Sequence, residues 1–186
     1  LTHVCHARLT GRDISSSIVL SDRLKYSEQR RRGIKRALHA GLKVVESDDL
    51  EAFWHILDDN LEAKYHVRPV HTLQELRLLK GRFPDNIKLY MAYHDGLPLG
   101  GTLLFITPQT VHTQYISASQ EGKETGALDL VFDHLISKEW QGKKFFDFGR
   151  STEDMGRYLN ANLIHQKEGF GGRGVCYDTY EWDTGL

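Results

Sequence analysis

Hydrophobic residues along this chain follow two different periods, and the alternation of the two predicts an α/β fold. Apolar side chains three and four residues apart predict amphipathic helices over residues 50–61 and 128–136. Alternating or continuous apolar residues predict strands over residues 42–45, 87–93, 99–106 and 111–117. The last three strands are separated by the turn residues Asp95-Gly96 and Thr107-Pro108-Gln109, so we expect an antiparallel meander.

Capping and glycine signals mark the boundaries of several elements. Thr72 and Glu75 form a capping box, which predicts the start of a further helix. Either Ser47 or Asp48 can cap the first amphipathic helix, because both precede its first apolar residue. Gly100-Gly101 inside a strand predicts a bulge or a close approach of a neighbouring backbone.

A basic row dominates residues 21–40, where the pattern predicts a helix that ends before Gly41. The cationic side chains of this row are Arg23, Lys25, Arg30, Arg31, Arg32, Lys35 and Arg36. Two interpretations stay open: the row attracts the phosphates of a nucleotide or RNA, or it is a solvated helix face. The chain has 24 Lys and Arg against 25 Asp and Glu, which argues against polyanion binding over the whole surface.

Residues 1–20 are predicted to be a loose lead-in with one edge strand. They contain His3, Cys5 and His6, but three ligands so close in sequence do not easily surround one ion, so we expect no metal. Cys5 and Cys176 do not make a disulfide framework, which indicates a reducing compartment. The sequence has no apolar run approaching about 18 residues and no signal-peptide pattern, which predicts a cytoplasmic protein without membrane association.

The stretch from Lys144 to Trp182 concentrates the candidate chemistry. Phenylalanines around Asp147 predict a buried strand over residues 145–148, and Gly149 permits a sharp turn at its end. A helix over residues 158–168 and a strand over residues 175–182 follow in the pattern. Polar groups at the end of a buried strand are where α/β proteins usually place reacting groups. The candidate side chains here are Asp147, Arg150, His165, Lys167 and Arg173.

In this stretch the sequence FDFGRST, followed by LNANLIHQKEGFGGR, resembles the C-terminal half of the GNAT-type acyltransferase fold. It is most similar to the Fem-like branch, which includes the aminoacyltransferases that build peptidoglycan cross-bridges. The resemblance implies a central mixed, mostly antiparallel sheet flanked by helices, with residues 41–186 as the GNAT-like domain and residues 1–40 as a lead-in segment and basic helix. Because the chain starts at Leu1 in what reads as an ongoing sequence, we expect a longer protein with a second copy of the fold upstream.

The resemblance also implies a donor, acetyl-CoA or another acyl-CoA, lying between the strands of residues 111–117 and 145–148. The residues expected to contact this donor are Ile116, Ser117, Ser119, Gln120, Gly126, Ala127 and Asn160. The loop that follows the first of these strands has Gln120, Gly122 and Gly126-Ala127, a looser spacing than the Q/R-x-x-G-x-G/A pattern of the family. The loop is therefore either a phosphate-binding loop or an ordinary strand-to-helix connection.

Four residues are the catalytic candidates. The resemblance implies that Lys167 stabilises charge at the transferring ester and that His165 stands where many acetyltransferases carry a proton-donating tyrosine. Asp147 and Glu168 are the carboxylates that can act as a base. The open alternatives are an exposed surface lysine, a structural histidine, and a buried Asp147 paired with Arg150 or Arg173.

The sequence and the resemblance together predict an N-acyltransferase that moves an acyl group to an amine of a small molecule or peptide. The first alternative is a Fem-like transferase that uses aminoacyl-tRNA, with tRNA or a nucleotide-linked substrate as its partner. The second alternative is a catalytically silent copy of the fold that binds a ligand or a neighbouring domain.

Overall fold

The computed structural model describes residues 2–184 of the chain. In chain order its elements are β1 Arg8–Val19, α1 Glu28–His39, β2 Lys43–Ser47, α2 Leu50–Tyr65, α3 Leu73–Arg82, β3 Ile87–His94, β4 Leu97–Ile106, β5 Thr110–Ala118, α4 Gln120–Thr125, α5 Ala127–His134, β6 Phe145–Arg150, β7 Thr152–Glu153, β8 Tyr158–Leu159, α6 Ala161–Glu168 and β9 Arg173–Glu181. A π-helical turn over Leu135–Glu139 continues α5.

A seven-stranded sheet with the order β2-β3-β4-β5-β6-β1-β9 forms the centre of the molecule. Every neighbouring pair in it is antiparallel except β5 and β6, which run parallel. Only three residue pairs join β5 to β6, from Thr110 with Phe145 to His112 with Asp147. Beyond that point the two strands part. The predicted α/β class and the mixed, mostly antiparallel sheet are confirmed.

The core consists of two hydrophobic clusters, one on each face of the sheet. Neighbouring residues of β3 contribute to different clusters: Tyr90 and Ala92 to one, Leu89 and Met91 to the other. This division follows from the pleat, since successive side chains of a strand point to opposite faces. Helices α1 and α5 cover the first face, and α2 and α3 cover the second.

The N-terminal residues are the largest departure from the sequence prediction. β1 is not an edge strand in a loose lead-in, because it pairs with β6 on one side and with β9 on the other. The basic helix is also shorter than predicted. Ser27 caps it, and residues 21–27 are not helical.

Three boundary predictions can be compared directly with the structure. The capping box of Thr72 and Glu75 is confirmed, with both of its hydrogen bonds formed. The close approach at Gly100-Gly101 is also confirmed, because a Cβ on Gly101 would lie 2.2 Å from the carbonyl oxygen of Tyr90. The cap of α2 was predicted one or two residues early, since it is the side chain of Asp49 that accepts the amide of Ala52.

The predicted start of α6 at Tyr158 is wrong. Tyr158 and Leu159 form the short strand β8, which pairs with β7, and Asn160 then caps the helix. Two short strands of two residues each carry almost no periodic signal, so the sequence pattern merges β8 with the helix that follows.

Helices α1 and α5 are joined by a buried ion pair. Arg30 Nη1 lies 2.6 Å from Asp129 Oδ1, and both side chains are close to nine-tenths buried. The guanidinium also lies over the ring of Phe170, 5.3 Å from its centroid. Gly33 of α1 makes room for the carboxylate, because a Cβ there would stand 1.7 Å from Asp129 Oδ2.

We expect Gly33→Ala to lower the free energy of unfolding by about 1 to 3 kcal/mol, because the added methyl group displaces the buried carboxylate from Arg30. Gly81→Ala in α3 is the matched control, since nothing lies within 4 Å of its Cβ position. That control should gain stability, by up to about 1 kcal/mol, because alanine favours a helix over glycine. Urea unfolding of both variants tests the pair. A stability gain for Gly33→Ala would contradict the proposed packing of α1 on α5.

Candidate active site

Two cavities meet where β5 and β6 part. The first, here called the α2 cavity, has a volume of about 400 Å³ and is lined by Leu57 and Leu61 of α2 together with Phe132 of α5. The second, here called the β1 cavity, has a volume of about 800 Å³ and is lined by Ser15 of β1 and Tyr177 of β9. The side chains that line both are Ile116, Phe148, Leu163 and Lys167. The parting of the strands thus joins a mainly apolar slot to a more polar opening.

Lys167 stands at this junction and is only 4% exposed. Its Nζ donates hydrogen bonds to the carbonyl oxygens of Gly149, at 2.9 Å, and Arg150, at 2.6 Å. Burial lowers its pKa to about 8, although the charge of Asp147 opposes this effect. An ammonium group has three donors, so one remains for an oxygen atom in either cavity. The alternative interpretation of Lys167 as an exposed surface lysine is wrong.

Asp147, near the centre of β6, lines the β1 cavity and makes three side-chain hydrogen bonds there. Its Oδ1 accepts hydrogen bonds from the hydroxyls of Ser15, at 2.6 Å, and Ser17, at 2.7 Å, while its Oδ2 lies 2.7 Å from His112 Nδ1. Burial raises the pKa of Asp147, but these hydrogen bonds and the charge of His112 outweigh it and lower the pKa to about 2. The carboxylate is therefore ionised.

The alternative pairing of Asp147 with an arginine is wrong. Arg150 pairs with Asp13 at 3.0 Å, and Arg173 pairs with Asp22 at 3.1 Å. The carboxylate of Asp147 instead accepts hydrogen bonds from the hydroxyls of β1.

His112 of β5 is a functional candidate that the sequence analysis did not find. The ionised carboxylate of Asp147 can only accept a hydrogen bond, so His112 Nδ1 carries the proton of the neutral imidazole and donates it in a hydrogen bond to Oδ2. His112 Nε2 is then left as an acceptor. The side chain is about one-third exposed and lines the β1 cavity. The signal is a histidine in one strand that aligns with Asp147 in the parallel neighbour, but that alignment becomes visible only once β5 and β6 are paired.

The other two catalytic candidates are not brought to the cavities. His165 and Glu168 lie on the exposed side of α6, and neither lines the α2 cavity or the β1 cavity. Lys167 is buried on the opposite side of the same helix. The structure therefore brings together Lys167 and Asp147 among the predicted catalytic residues, and adds His112.

The predicted donor contacts divide in a similar way. Ile116 and Ser117 line the α2 cavity. The others have structural contacts: Ser119 caps α4, Gln120 donates to Glu124, Gly126 joins α4 to α5, Ala127 is fully buried in the core, and Asn160 caps α6.

The glycine-containing loop after β5 is occupied by a short helix, α4. The amide of Gly122 donates to Ser119 Oγ, that of Lys123 to the Ser119 carbonyl, and that of Gly126 to the Gly122 carbonyl. Gly126 also packs against α1, since a Cβ there would lie 2.6 Å from the carbonyl oxygen of Gly33. These three backbone amides are engaged inside the loop and do not point to an anion.

Two observations concern metals and membranes. Within residues 2–184, no group of three or more His, Cys, Asp and Glu side chains is arranged to hold a metal ion. Over the same residues, no helix has the length and apolar character that a membrane span needs.

Comparisons with solved structures find the same fold in other proteins. The crystal structure of FemX matches 89% of this chain and 61% of its own length, with a TM-score of 0.72 and 11% identity. The structure of L-PGS from Bacillus licheniformis matches 94% of this chain and 62% of its own length, with a TM-score of 0.67 and 12% identity. The chain thus spans about three-fifths of these structures, and identities this low show the fold alone. Among curated proteins, none matches the sequence.

A family model adds evidence from the sequence itself. The model described as an acetyltransferase (GNAT) domain matches residues 24–158, which is more than half of the chain. That match covers α1, the meander of β3 to β5, and β6, and thus includes the two strands β5 and β6 that part. With its fold shared by FemX, the chain belongs to the GNAT acetyltransferase domain family.

Proposed function

We propose that this chain is an N-acyltransferase that moves an acyl group from an acyl-CoA to an amine. The observation that carries the proposal is the buried ammonium group of Lys167, which lies where two cavities meet at the parting of β5 and β6. Membership of the GNAT family supports acyl transfer as the reaction class. The donor and the acceptor can then approach one point from two cavities of different character.

The α2 cavity fits the acyl arm of the donor. Its wall is mainly apolar, with Leu57, Leu61 and Phe132, and its volume is about 400 Å³. Beyond His112 the edge of β5 has no pairing with β6, so backbone groups there can bond an extended, amide-containing chain. The pantetheine arm of CoA has that chemistry, and the donor supplies its acyl group as a thioester.

The β1 cavity fits the amine acceptor. His112 Nε2 takes the proton from the attacking amine, and Asp147 holds the imidazole in the required tautomer and stabilises its charged form. The free donor of Lys167 bonds the thioester carbonyl oxygen, where negative charge develops. A new C–N bond replaces the C–S bond, and the departing thiolate takes up a proton.

An aminoacyl ester is the second candidate donor. The observation that favours it is the short helix α4, which engages the amides of Gly122, Lys123 and Gly126 inside the loop where the family pattern binds a pyrophosphate. Lys167 and His112 would keep the same roles on an ester, with an alcohol leaving in place of a thiol.

Acetyl-CoA binding is the first prediction of the proposed function, and isothermal titration calorimetry measures it. Leu61→Trp fills the α2 cavity, so we expect its Kd for acetyl-CoA to rise at least about tenfold. Leu78→Trp is the matched control, because Leu78 is an exposed leucine of α3 outside the cavity, and its Kd should equal that of the parent protein. Absence of binding at millimolar acetyl-CoA would sink the acyl-CoA proposal and favour the ester donor.

Loss of the base is the second prediction. His112→Gln keeps a hydrogen bond to Asp147 but cannot take a proton, so the rate of thiol release with amine acceptors should fall by about 100-fold or more. His165→Gln, on the exposed side of α6, is the matched control and should keep the parent rate. An unchanged rate in His112→Gln would remove His112 from the mechanism.

The titration of Lys167 gives the third prediction. Its folded-state pKa of about 8 lies below its ordinary value of 10.5, so between these pH values the folded protein releases a proton that the unfolded chain keeps. The free energy of unfolding should therefore rise from pH 8 to 10.5, by about 1 to 3 kcal/mol relative to Lys167→Met. Acyl transfer should fall over the same range, because the neutral amine stabilises an oxyanion less well.

Urea unfolding and thiol-release rates at matched pH values test both arms of this prediction. Lys35→Met, an exposed lysine of α1, should follow the parent protein in both measurements. A transfer rate that rises with the stability would instead assign Lys167 the role of a base.

A further inference from the structure

The basic row of residues 23–36 does not act as one surface in the structure. Arg30 turns inward to Asp129 and the ring of Phe170. Arg31 bonds Glu28 on the exposed surface. Arg32 and Arg36 face a separate groove, here called the α1 groove, which also contains Glu28, Gln29, Arg30, Lys123 and Asp129 and has a volume of about 350 Å³.

The α1 groove carries an excess of positive charge. Its lining has four cations against two carboxylates, which leaves a net charge of +2. The buried pair of Arg30 and Asp129 is internally neutral. Glu28 bonds Arg32 at 3.1 Å, but both groups are exposed, and such pairs contribute little and exchange readily. Arg36 and Lys123 thus provide the unbalanced charge of the groove.

Lys123 connects the α1 groove to the α2 cavity, because it lines both. Its Nζ donates to Asn60 Oδ1 of α2, which holds the ammonium group between the two spaces. A ligand that enters the α2 cavity with an apolar or amide-bearing arm therefore emerges beside the guanidinium groups of α1.

Three backbone amides beside the mouth of the α2 cavity are not available to such a ligand. The amides of Gly122, Lys123 and Gly126 are used inside the α4 segment. The start of α5 is covered by α1, since Gly126 lies against Gly33. Phosphate groups that leave the α2 cavity beside Lys123 therefore meet the cationic side chains of the α1 groove, which neutralise them.

We propose that the α1 groove binds the phosphates of the donor nucleotide, through Arg32 and Arg36 of α1 and Lys123 of α4. The proposal rests on the acyl-CoA function above and adds the site that anchors the polar end of the donor. The guanidinium groups have the planar geometry that bonds phosphate oxygens in pairs. Binding of the ligand releases Arg32 from Glu28 and places the 3′-phosphate and diphosphate over the groove.

Calorimetric titration of four probes tests this site in the full chain. The probes are acetyl-CoA, acetyl-pantetheine, adenosine 3′,5′-bisphosphate and a single-stranded oligoribonucleotide. Arg36→Gln and Lys123→Gln should each weaken acetyl-CoA binding by roughly tenfold, and weaken the bisphosphate similarly, because each removes one charged phosphate contact. Arg36→Gln should not change the binding of acetyl-pantetheine, because this probe carries no phosphate and Arg36 lines the α1 groove but not the α2 cavity.

The same helix provides matched controls. Arg31→Gln and Lys35→Gln each remove a positive charge from α1 at a residue that does not line the groove, so the Kd for acetyl-CoA should stay at the parent value. If these controls weaken binding as much as Arg36→Gln does, the effect is the general field of the protein and the proposed site is wrong. Parent-level binding of both acetyl-CoA and the bisphosphate by Arg36→Gln also overturns it.

The failure of this site and the failure of the acyl-CoA function give different results. If Leu61→Trp abolishes acetyl-CoA binding and Arg36→Gln leaves it unchanged, the acyl-CoA function stands and the phosphate site in the α1 groove is rejected. If the bisphosphate binds in an Arg36-dependent way and acetyl-CoA does not bind, the α1 groove stands as a phosphate site and the acyl-CoA function is rejected. Binding of the oligoribonucleotide alone, weakened by Arg36→Gln, assigns the groove to RNA and overturns the proposal.

Discussion

The hydrogen bonds from Lys167 to the carbonyl oxygens of Gly149 and Arg150 hold the parting of the sheet open. Where β6 stops pairing with β5, its last carbonyl groups need another donor, and a buried carbonyl without one costs free energy. A side chain from α6 takes the place of the missing strand. This replacement of strand hydrogen bonds by those of a lysine side chain determines where α6 lies. The two cavities and their junction depend on it too.

Local signals predicted much of the fold, whereas the pairing of distant strands lay beyond them. The meander, the capping box at Thr72 and the buried strand around Asp147 all rest on neighbours within a few residues. β1 was predicted as an edge strand, and its interior position was missed because its sequence, with three serines in a row, is unusually polar for a strand between two others. The structure explains this composition: Ser15 and Ser17 satisfy a carboxylate that lies 130 or more positions away.

The candidate site shows the same division. Lys167 and Asp147 were predicted, but His112 was not, since its role depends on a register that only the folded sheet sets. Position 167 faces inward while 165 and 168 face outward, and a helix of eight residues with a weak apolar stripe does not reveal which side is buried. The loop after β5 was ambiguous for a related reason: α4 has six residues, too few for a periodic pattern.

The hydroxyls that β1 offers to Asp147 have a consequence for how the molecule can be divided. The family match begins at residue 24 and ends at residue 158, so it contains Asp147 and His112 but neither Ser15 and Ser17 nor Lys167. A protein trimmed to those limits would keep an ionised carboxylate in its core without two of its three hydrogen-bond donors. Residues 24–158 define the family, whereas Ser15, Ser17 and Lys167 complete the candidate site from outside that range. Neither part of the chain forms the site alone.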